Sequence, residues 1–238
     1  MAQPLFGPDD SPLSNPEDVI NFLGKGRAHW RGEYSACETA HSWFQADGLP
    51  ATIQSILQTD PVLSGAMLKK AYFEKQTDLD NLGRPSQTDV IAIVATNSGQ
   101  AVLGVEGKVE ESFGPLVSDW NDYSPGKLRR LANLVERLGL KPSAAIGSLR
   151  YQLLHRTVAT LLEAERFATT EAAMIVQSFS SKMSGFSAFE EFSSALGIPV
   201  TEAGRLSRPI KLGPTQIRLG WTTNGFCAPK TSALHDHG

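Results

Sequence analysis

Two β-type runs that flank a short polar turn constrain the fold of this chain more than any other feature of its sequence. Residues 89–95 (DVIAIVA) are almost wholly apolar, residues 101–109 (AVLGVEGKV) alternate, and Asn97, Ser98 and Gly99 lie between the two runs. A pair of strand-like runs around a turn that contains glycine is typical of a β-hairpin. The sequence therefore predicts a sheet in which these two strands are neighbours.

The other periodic segments predict an α/β protein built around this hairpin. Helical spacing of apolar residues predicts helices at 33–46, 50–58, 125–138, 148–167 and 186–196, and β-rich runs predict strands at 70–76, 172–180 and 215–223. Without accessory helices and the C-terminal strand, the order is helix, three strands, helix, strand. We expect residues 1–32 to form an irregular N-terminal arm with one short helix at 16–23, and residues 33–238 to form a single α/β domain.

Composition excludes several classes of protein. The chain of 238 residues has two cysteines, Cys37 and Cys227, near opposite ends, so neither a zinc knuckle nor a CxxC redox pair is predicted. No run approaches the roughly 18 apolar residues that a membrane helix requires. The N-terminal segment also lacks the basic and apolar regions of a secretion signal. We therefore expect a cytoplasmic protein without a membrane partner.

Charge is concentrated in one basic segment, residues 127–156. Seven basic residues and one acidic residue give this segment a local charge of +6, although the whole chain has a net charge of −3. The basic residues are Lys127, Arg129, Arg130, Arg137, Lys141, Arg150 and Arg156. Such a segment indicates an anionic partner, and the alternative is a solvated helix face that pairs with acids elsewhere.

The hairpin also carries the residues that point to chemistry. Glu106 and Lys108 project to the same side of their strand because side chains alternate, and Asp89 begins the neighbouring strand. Two nearby carboxylates repel each other unless a cation neutralises them, and Mg²⁺ prefers such oxygen ligands. The Lys108 ammonium would orient a water molecule and stabilise developing negative charge, which indicates phosphodiester hydrolysis. Ser86 and Gln87, predicted in a turn, would support Asp89 by hydrogen bonds.

The ExK spacing of Glu106 and Lys108 has little specificity by itself, and a surface Glu/Lys pair is the alternative. The position of this triplet in the predicted order of elements adds weight. With Asp89 on the second strand and the triplet on the third, the chain resembles the PD-(D/E)XK nuclease superfamily. It is also similar to a restriction-endonuclease-like family of uncharacterised bacterial proteins through PSQTD, VEGKVEESFG and LRYQLLHRT. The resemblance covers about 150 residues and implies a restriction-endonuclease-like core with a metal-dependent nuclease site.

The resemblance suggests further site residues. Many members carry an acid on the first helix, and Glu38 is the candidate for this third metal ligand beside Asp89 and Glu106, or else a solvent-facing acid. Gln152 matches a glutamine that RecB-type members place beside the active site, although Arg156 stands where those members have tyrosine. His155 and Arg156 could reach substrate phosphates, because a guanidinium binds phosphate bidentately, or form a structural salt bridge instead.

The sequence thus predicts a nuclease that depends on Mg²⁺, with Mn²⁺ as an expected substitute, and that acts on nucleic acid, with DNA as the expected partner. Two other hypotheses remain open. One is an inactive nuclease-fold module that binds nucleic acid or a protein, and the other is hydrolysis of a small phosphate ester at the same site. A homodimer is plausible because cutting both strands of a duplex needs two sites.

Overall fold

A seven-stranded mixed sheet forms the centre of the protein. The computed structural model describes residues 4–24, 26–81 and 83–229. The strands are β1 (Leu5–Phe6), β2 (Met67–Thr77), β3 (Ser86–Thr96), β4 (Gly99–Lys108), β5 (Glu171–Ser178), β6 (Ile210–Leu212) and β7 (Thr215–Thr223). Their order across the sheet is β1-β2-β3-β4-β5-β7-β6. Strands β2, β3 and β4 are antiparallel neighbours, whereas β4, β5 and β7 run parallel to one another.

Helices cover both faces of this sheet. The α-helices are α1 (Ser35–Phe44), α2 (Ala51–Leu57), α3 (Val117–Trp120), α4 (Pro125–Arg137), α5 (Tyr151–Arg166) and α6 (Phe186–Ala195), and 3₁₀ helices span Pro16–Phe22, Gly26–His29 and Ala144–Ser148. Among the described residues, no helix is both long enough and apolar enough to cross a membrane.

The alternating side chains of the central strands contribute to two hydrophobic cores, one on each face. Leu103 and Val105 of β4 pack with Trp43 of α1 in the core that we call the α1-side core. Val102 of the same strand packs with Leu153 of α5 in the α5-side core. The period of two residues in a strand therefore decides which helix each side chain meets. Odd-numbered residues of β4 face α1, and even-numbered residues face α5.

The predicted hairpin is confirmed. Strands β3 and β4 pair in antiparallel register from Thr96↔Gly99 at the turn to Val90↔Val105 at the far end. Helix α5 lies close against β4 at Gly104. A Cβ atom at this position would be only 2.0 Å from Thr160 Oγ1. A side chain at this position would push the helix away from the sheet.

Most predicted elements are present, and the differences concern short elements. The C-terminal strand is found at the predicted residues, and the predicted helix at 148–167 is observed as α5, shortened at both ends. The N-terminal arm contains strand β1, which pairs with β2, and its predicted helix is a 3₁₀ helix. Strand β6 was not predicted. Residues 1–3 of the predicted arm and 230–238 of the predicted domain lie outside the described residues.

Candidate active site

Strands β3 and β4 part just beyond their last paired residues, and two acidic side chains lie at this point. The pairing ends at Val90↔Val105, whose side chains pack in the α1-side core. Asp89 and Glu106 are the next residues of the two strands, so alternation directs them to the α5 face. The backbone N–H of Gly107 donates a hydrogen bond of 2.7 Å to Asp89 Oδ2. The Asp89 carboxylate thus links β3 to β4 beyond the last backbone-paired residues of the two strands.

Glu106 is buried and held by three side chains. Its Oε1 accepts hydrogen bonds from Lys108 Nζ at 2.9 Å and from Gln152 Nε2 at 2.6 Å, and its Oε2 accepts one from Arg156 Nε at 2.5 Å. Burial raises the pKa of Glu106, but the charges of Arg156 and Lys108 outweigh it and lower the pKa to about 2. Glu106 is therefore ionised and already paired with two cations.

Asp89 has weaker compensation for its charge. Burial, followed by the negative charge of Glu106, raises the pKa of Asp89 to about 7, although Arg156, Lys108 and the Gly107 N–H favour the ionised form. The residue nevertheless keeps part of its surface exposed, so the site is open to solvent on this side. The protonated form of Asp89 is therefore favoured more than that of an ordinary aspartate, and a bound cation would favour the ionised form.

Glu74 is a third acid in this cluster, and sequence reasoning missed it. It lies on β2 between Phe73 and Lys75, which pair with Val90 and Thr88 of β3, and so it stands opposite Asp89. Burial and the charge of Asp89 raise its pKa, while Gln87 Nε2 donates a hydrogen bond of 2.7 Å to its Oε2. Its backbone adopts a φ of 52°, which a non-glycine residue rarely does. No sequence pattern marks this position.

The acidic cluster has charges and donor atoms that can be compared with those a divalent cation requires. Three carboxylates, of Glu74, Asp89 and Glu106, face two cations, Lys108 and Arg156. Burial, followed by repulsion from a neighbouring carboxylate, raises the pKa of Glu74 and of Asp89. The oxygen donors are of the kind that Mg²⁺ prefers. In the described part of the chain, however, no group of three or more His, Cys, Asp or Glu side chains is arranged to hold a metal ion. The oxygen donors therefore fit Mg²⁺ in type and charge. Among the residues that the structure describes, Asp89 accepts a single hydrogen bond, from the Gly107 N–H, whereas Glu106 accepts three from side chains.

Arg156 connects Glu106 to a second group of polar side chains. Its Nη1 donates a hydrogen bond of 2.8 Å to Ser86 Oγ, which lies 2.9 Å from His155 Nδ1. Since the Ser86 oxygen accepts from Arg156, its own hydrogen is free for Nδ1, and we assign the proton of the imidazole to Nε2. Burial, followed by the charge of Arg156, lowers the pKa of His155 to about 3. Ser86 and Gln87 thus lie within β3 rather than in a turn, and they support Arg156 and Glu74 instead of Asp89.

Glu38 lies elsewhere, because its hydrogen bonds join α1 to the C-terminal segment. Its Oε1 accepts from the N–H of Glu33 at 2.8 Å, and its Oε2 accepts from the N–H groups of Cys227 at 2.5 Å and Ala228 at 2.9 Å. It is buried rather than solvent-facing, and these contacts do not bring it to Asp89 or Glu106.

Thr39, the next residue of α1, lies against β4 at Gly107. A Cβ atom at Gly107 would be 2.1 Å from Thr39 Oγ1 and 3.3 Å from Asp89 Oδ2. The Thr39 hydroxyl is buried and has no hydrogen-bond partner among the described residues. The glycine between Glu106 and Lys108 therefore allows α1 to approach β4.

The basic segment is largely neutralised by ion pairs. Within the described residues, Lys127 pairs with Asp122, Arg130 with Asp80, Arg137 with Glu165 and Arg156 with Glu106. Arg129 and Lys141 are exposed, and Arg150 donates to the Gly114 carbonyl. Pairing with acidic residues, the alternative to an anionic partner, thus accounts for much of the positive charge of residues 127–156.

The chain belongs to the family described as Domain of unknown function (DUF6946), whose model matches residues 12–225. No curated protein and no solved structure matches the chain.

Proposed function

We propose that this DUF6946 member is a metal-dependent phosphodiesterase with a restriction-endonuclease-like core, and that its substrate is nucleic acid, with DNA as the first candidate. The observation that carries the proposal is the meeting of Asp89 and Glu106 where β3 and β4 part, with Lys108 on the same face. The resemblance to PD-(D/E)XK nucleases agrees with this arrangement, since it expects the Asp on the second core strand and the ExK triplet on the third.

The residues of the site have distinct tasks in this proposal. Asp89 and Glu106 would hold Mg²⁺ or Mn²⁺, which when bound polarises a phosphodiester oxygen and lowers the pKa of a coordinated water. Lys108, held at 2.9 Å from Glu106, supplies a fixed positive charge for the negative charge that develops on the phosphate oxygens. Gln152 fixes the orientation of the Glu106 carboxylate through its hydrogen bond of 2.6 Å.

The second candidate function is a nuclease-fold module that binds without hydrolysis. The observation that favours it is the Arg156 ion pair, because Arg156 and Lys108 already satisfy both oxygens of Glu106. A metal ion that used Glu106 would have to exchange with one of these cations. Calorimetric titration with Mg²⁺ and Mn²⁺ separates the two functions, since the module should bind neither ion.

The cleavage experiment uses plasmid DNA, single-stranded DNA, RNA and a bis-aryl phosphate ester, each with Mg²⁺, Mn²⁺ or EDTA. We expect cleavage of a nucleic acid that EDTA abolishes and that Asp89→Asn and Lys108→Met reduce by a hundredfold or more (about 2.7 kcal/mol or more of transition-state stabilisation). Asp47→Asn changes an exposed residue that follows α1, and Lys211→Met changes an exposed residue of the edge strand β6, so both should leave the rate unchanged. Activity that survives Asp89→Asn would exclude this site as its origin, and cleavage of the small ester alone would exclude a polymeric substrate.

A further inference from the structure

A cavity of about 450 Å³ lies beside the candidate active site. Its walls come from the segment before β3, from α3 and the first turn of α4, and from the first turns of α5. This volume is within the range of cavities that hold small ligands. None of the tasks proposed for the active site uses this cavity.

The cavity and the active site share a wall. Ser86 and His155 line the cavity, and the same Ser86 hydroxyl accepts the hydrogen bond from Arg156, which in turn binds Glu106. His155 Nε2, to which we assign the proton, has no hydrogen-bond partner among the described residues. The imidazole that carries this neutral N–H donor is therefore connected to Arg156 of the Glu106 ion pair by two hydrogen bonds through Ser86.

The chemistry of the other walls favours an anion. Arg84, Lys127 and Arg130 line the cavity. Arg130 is fixed by two hydrogen bonds to Asp80, at 3.0 and 2.7 Å, and by one to the Arg84 carbonyl. The Arg84 side chain is exposed and has no ion-pair partner within the described ranges. It is thus the cation most available to a ligand.

The first turn of α4 adds to this positive environment. Ser124, Gly126 and Lys127 line the cavity, and the Ser124 side chain does not cap the helix. The N–H groups that open a helix of 13 residues therefore lack this usual partner. Backbone N–H groups at a helix N-terminus, together with arginine and an imidazole N–H, form a donor set suited to phosphate oxygens.

We infer that this cavity binds a phosphate group of the substrate, next to the phosphate that is cleaved. This inference rests on the proposed phosphodiesterase function, and it specifies a substrate with at least two phosphate positions, such as a nucleic acid strand. The phosphate could be the terminal group of a nucleotide or an internal group of a strand, and both present the same oxygens.

The test measures binding in EDTA, so that metal-dependent chemistry plays no part. The probes are thymidine 5′-monophosphate, a short oligothymidylate without terminal phosphates, and thymidine. Binding to the full-length protein is measured by calorimetry, and the ¹⁵N signals of His155 are followed by NMR. We expect at least one phosphate-bearing probe to bind and to shift the His155 Nε2–H signal, whereas thymidine does not.

Two matched variants locate the binding. Arg84→Ala should weaken the binding of the phosphate probe about tenfold, as expected for loss of a charge-assisted hydrogen bond. Arg129→Ala removes an exposed cation of α4 that does not line the cavity, and it should change the affinity less than about twofold. Binding to the nucleotide alone would identify a terminal phosphate, and binding to the oligomer would identify an internal one.

Three outcomes would overturn the inference: equal binding of thymidine, equal effects of the two variants, or no binding by either phosphate probe. Because these measurements need no metal, they are independent of the cleavage assay. If the protein bound phosphate through Arg84 but cleaved nothing, the phosphate site in the cavity would be supported and the proposed phosphodiesterase function would be refuted. If the protein cleaved nucleic acid but showed no such binding, the function would be supported and the phosphate site would be refuted.

Discussion

Replacing Arg156 by glutamine tests whether a divalent cation can take the place of the guanidinium. Arg156 is 8% exposed, donates to Glu106 at 2.5 Å and donates to Ser86 at 2.8 Å. Arg156→Gln would leave the buried Glu106 carboxylate with Lys108 as its remaining cation. Removing one partner of a buried ion pair typically costs about 3–5 kcal/mol, so we expect a loss of this size in the free energy of unfolding in EDTA.

Divalent cations should restore part of this loss if the carboxylates form a metal site. A ligand that binds the folded state alone adds about 2.7 kcal/mol at a concentration one hundred times its dissociation constant. We therefore expect Mg²⁺ or Mn²⁺ to stabilise Arg156→Gln more than the native protein, in which the guanidinium competes for Glu106. Urea unfolding followed by tryptophan fluorescence measures both effects, because Trp43 and Trp221 are fully buried.

The control is Arg137→Gln, which breaks an exposed pair with Glu165 at 3.4 Å. Pairs of this kind contribute about 0–1 kcal/mol, and metal ions should not alter the result. If Arg156→Gln were strongly destabilised and gained no more from saturating Mn²⁺ than the native protein does, the carboxylates would not hold a metal. The non-hydrolysing module would then be the better description.

Three further changes test other parts of the site. In EDTA, the difference in the free energy of unfolding between the native protein and Asp89→Asn should fall with rising pH between the unfolded pKa of Asp89, 3.8, and its folded value of about 7, because the folded carboxyl holds a proton that the unfolded one releases. His155, whose folded pKa is lowered to about 3, gives both proteins a slope of opposite sign, and this slope cancels in the difference. The difference should change by up to about 1.4 kcal/mol per pH unit, and urea titrations that found it independent of pH would contradict this assignment. Gly107→Ala places a Cβ atom 2.1 Å from Thr39 Oγ1, so we expect a loss of about 2 kcal/mol. Thr39→Ala should restore part of this loss, because the contacts of 3.3 Å with Asp89 Oδ2 and the Ser35 carbonyl remain. Gly126→Ala, with nothing within 4 Å of its new atom, should be neutral or stabilising, and equal losses in both alanine variants would refute the steric argument. Glu38→Gln should lower thermal stability by about 1–3 kcal/mol, since one of its oxygens no longer accepts a backbone N–H, but calorimetry should find its affinity for Mn²⁺ unchanged.

The fold could be predicted where a pattern ran over several residues. The hairpin of β3 and β4 was visible because an apolar run, a turn and an alternating run follow one another. Strands β1 and β6 have two and three residues, too few for any periodicity, and they depend on tertiary contacts with longer strands. The 3₁₀ geometry of Pro16–Phe22 likewise has no distinct sequence signal.

The site could be predicted to the extent that strand alternation determines it. Alternation placed Glu106 and Lys108 together, and the hairpin register brought Asp89 to them. The side chain that α1 directs towards β4 was harder to predict, because successive residues of a helix point in directions about 100° apart. Glu38 and Thr39 therefore point in different directions, and it is Thr39 that meets β4 at Gly107. Glu74 depends on the pairing of β2 with β3, which no local pattern specifies.

The ion pair of Arg156 with Glu106 is consistent with both functional hypotheses. A guanidinium that neutralises Glu106 stabilises the folded protein whether or not a metal ever binds, so the ion pair is compatible with both. The deciding residue is Asp89, which forms no ion pair within the described residues and whose pKa is raised by burial and by the charge of Glu106. Asp89 also accepts the Gly107 N–H beyond the end of the β3–β4 pairing, so the residue has a structural contact whether or not a metal binds. Asp89→Asn therefore has to be compared in two measurements, because loss of Mn²⁺ affinity reports the proposed metal site and the free energy of unfolding reports the contact between the strands.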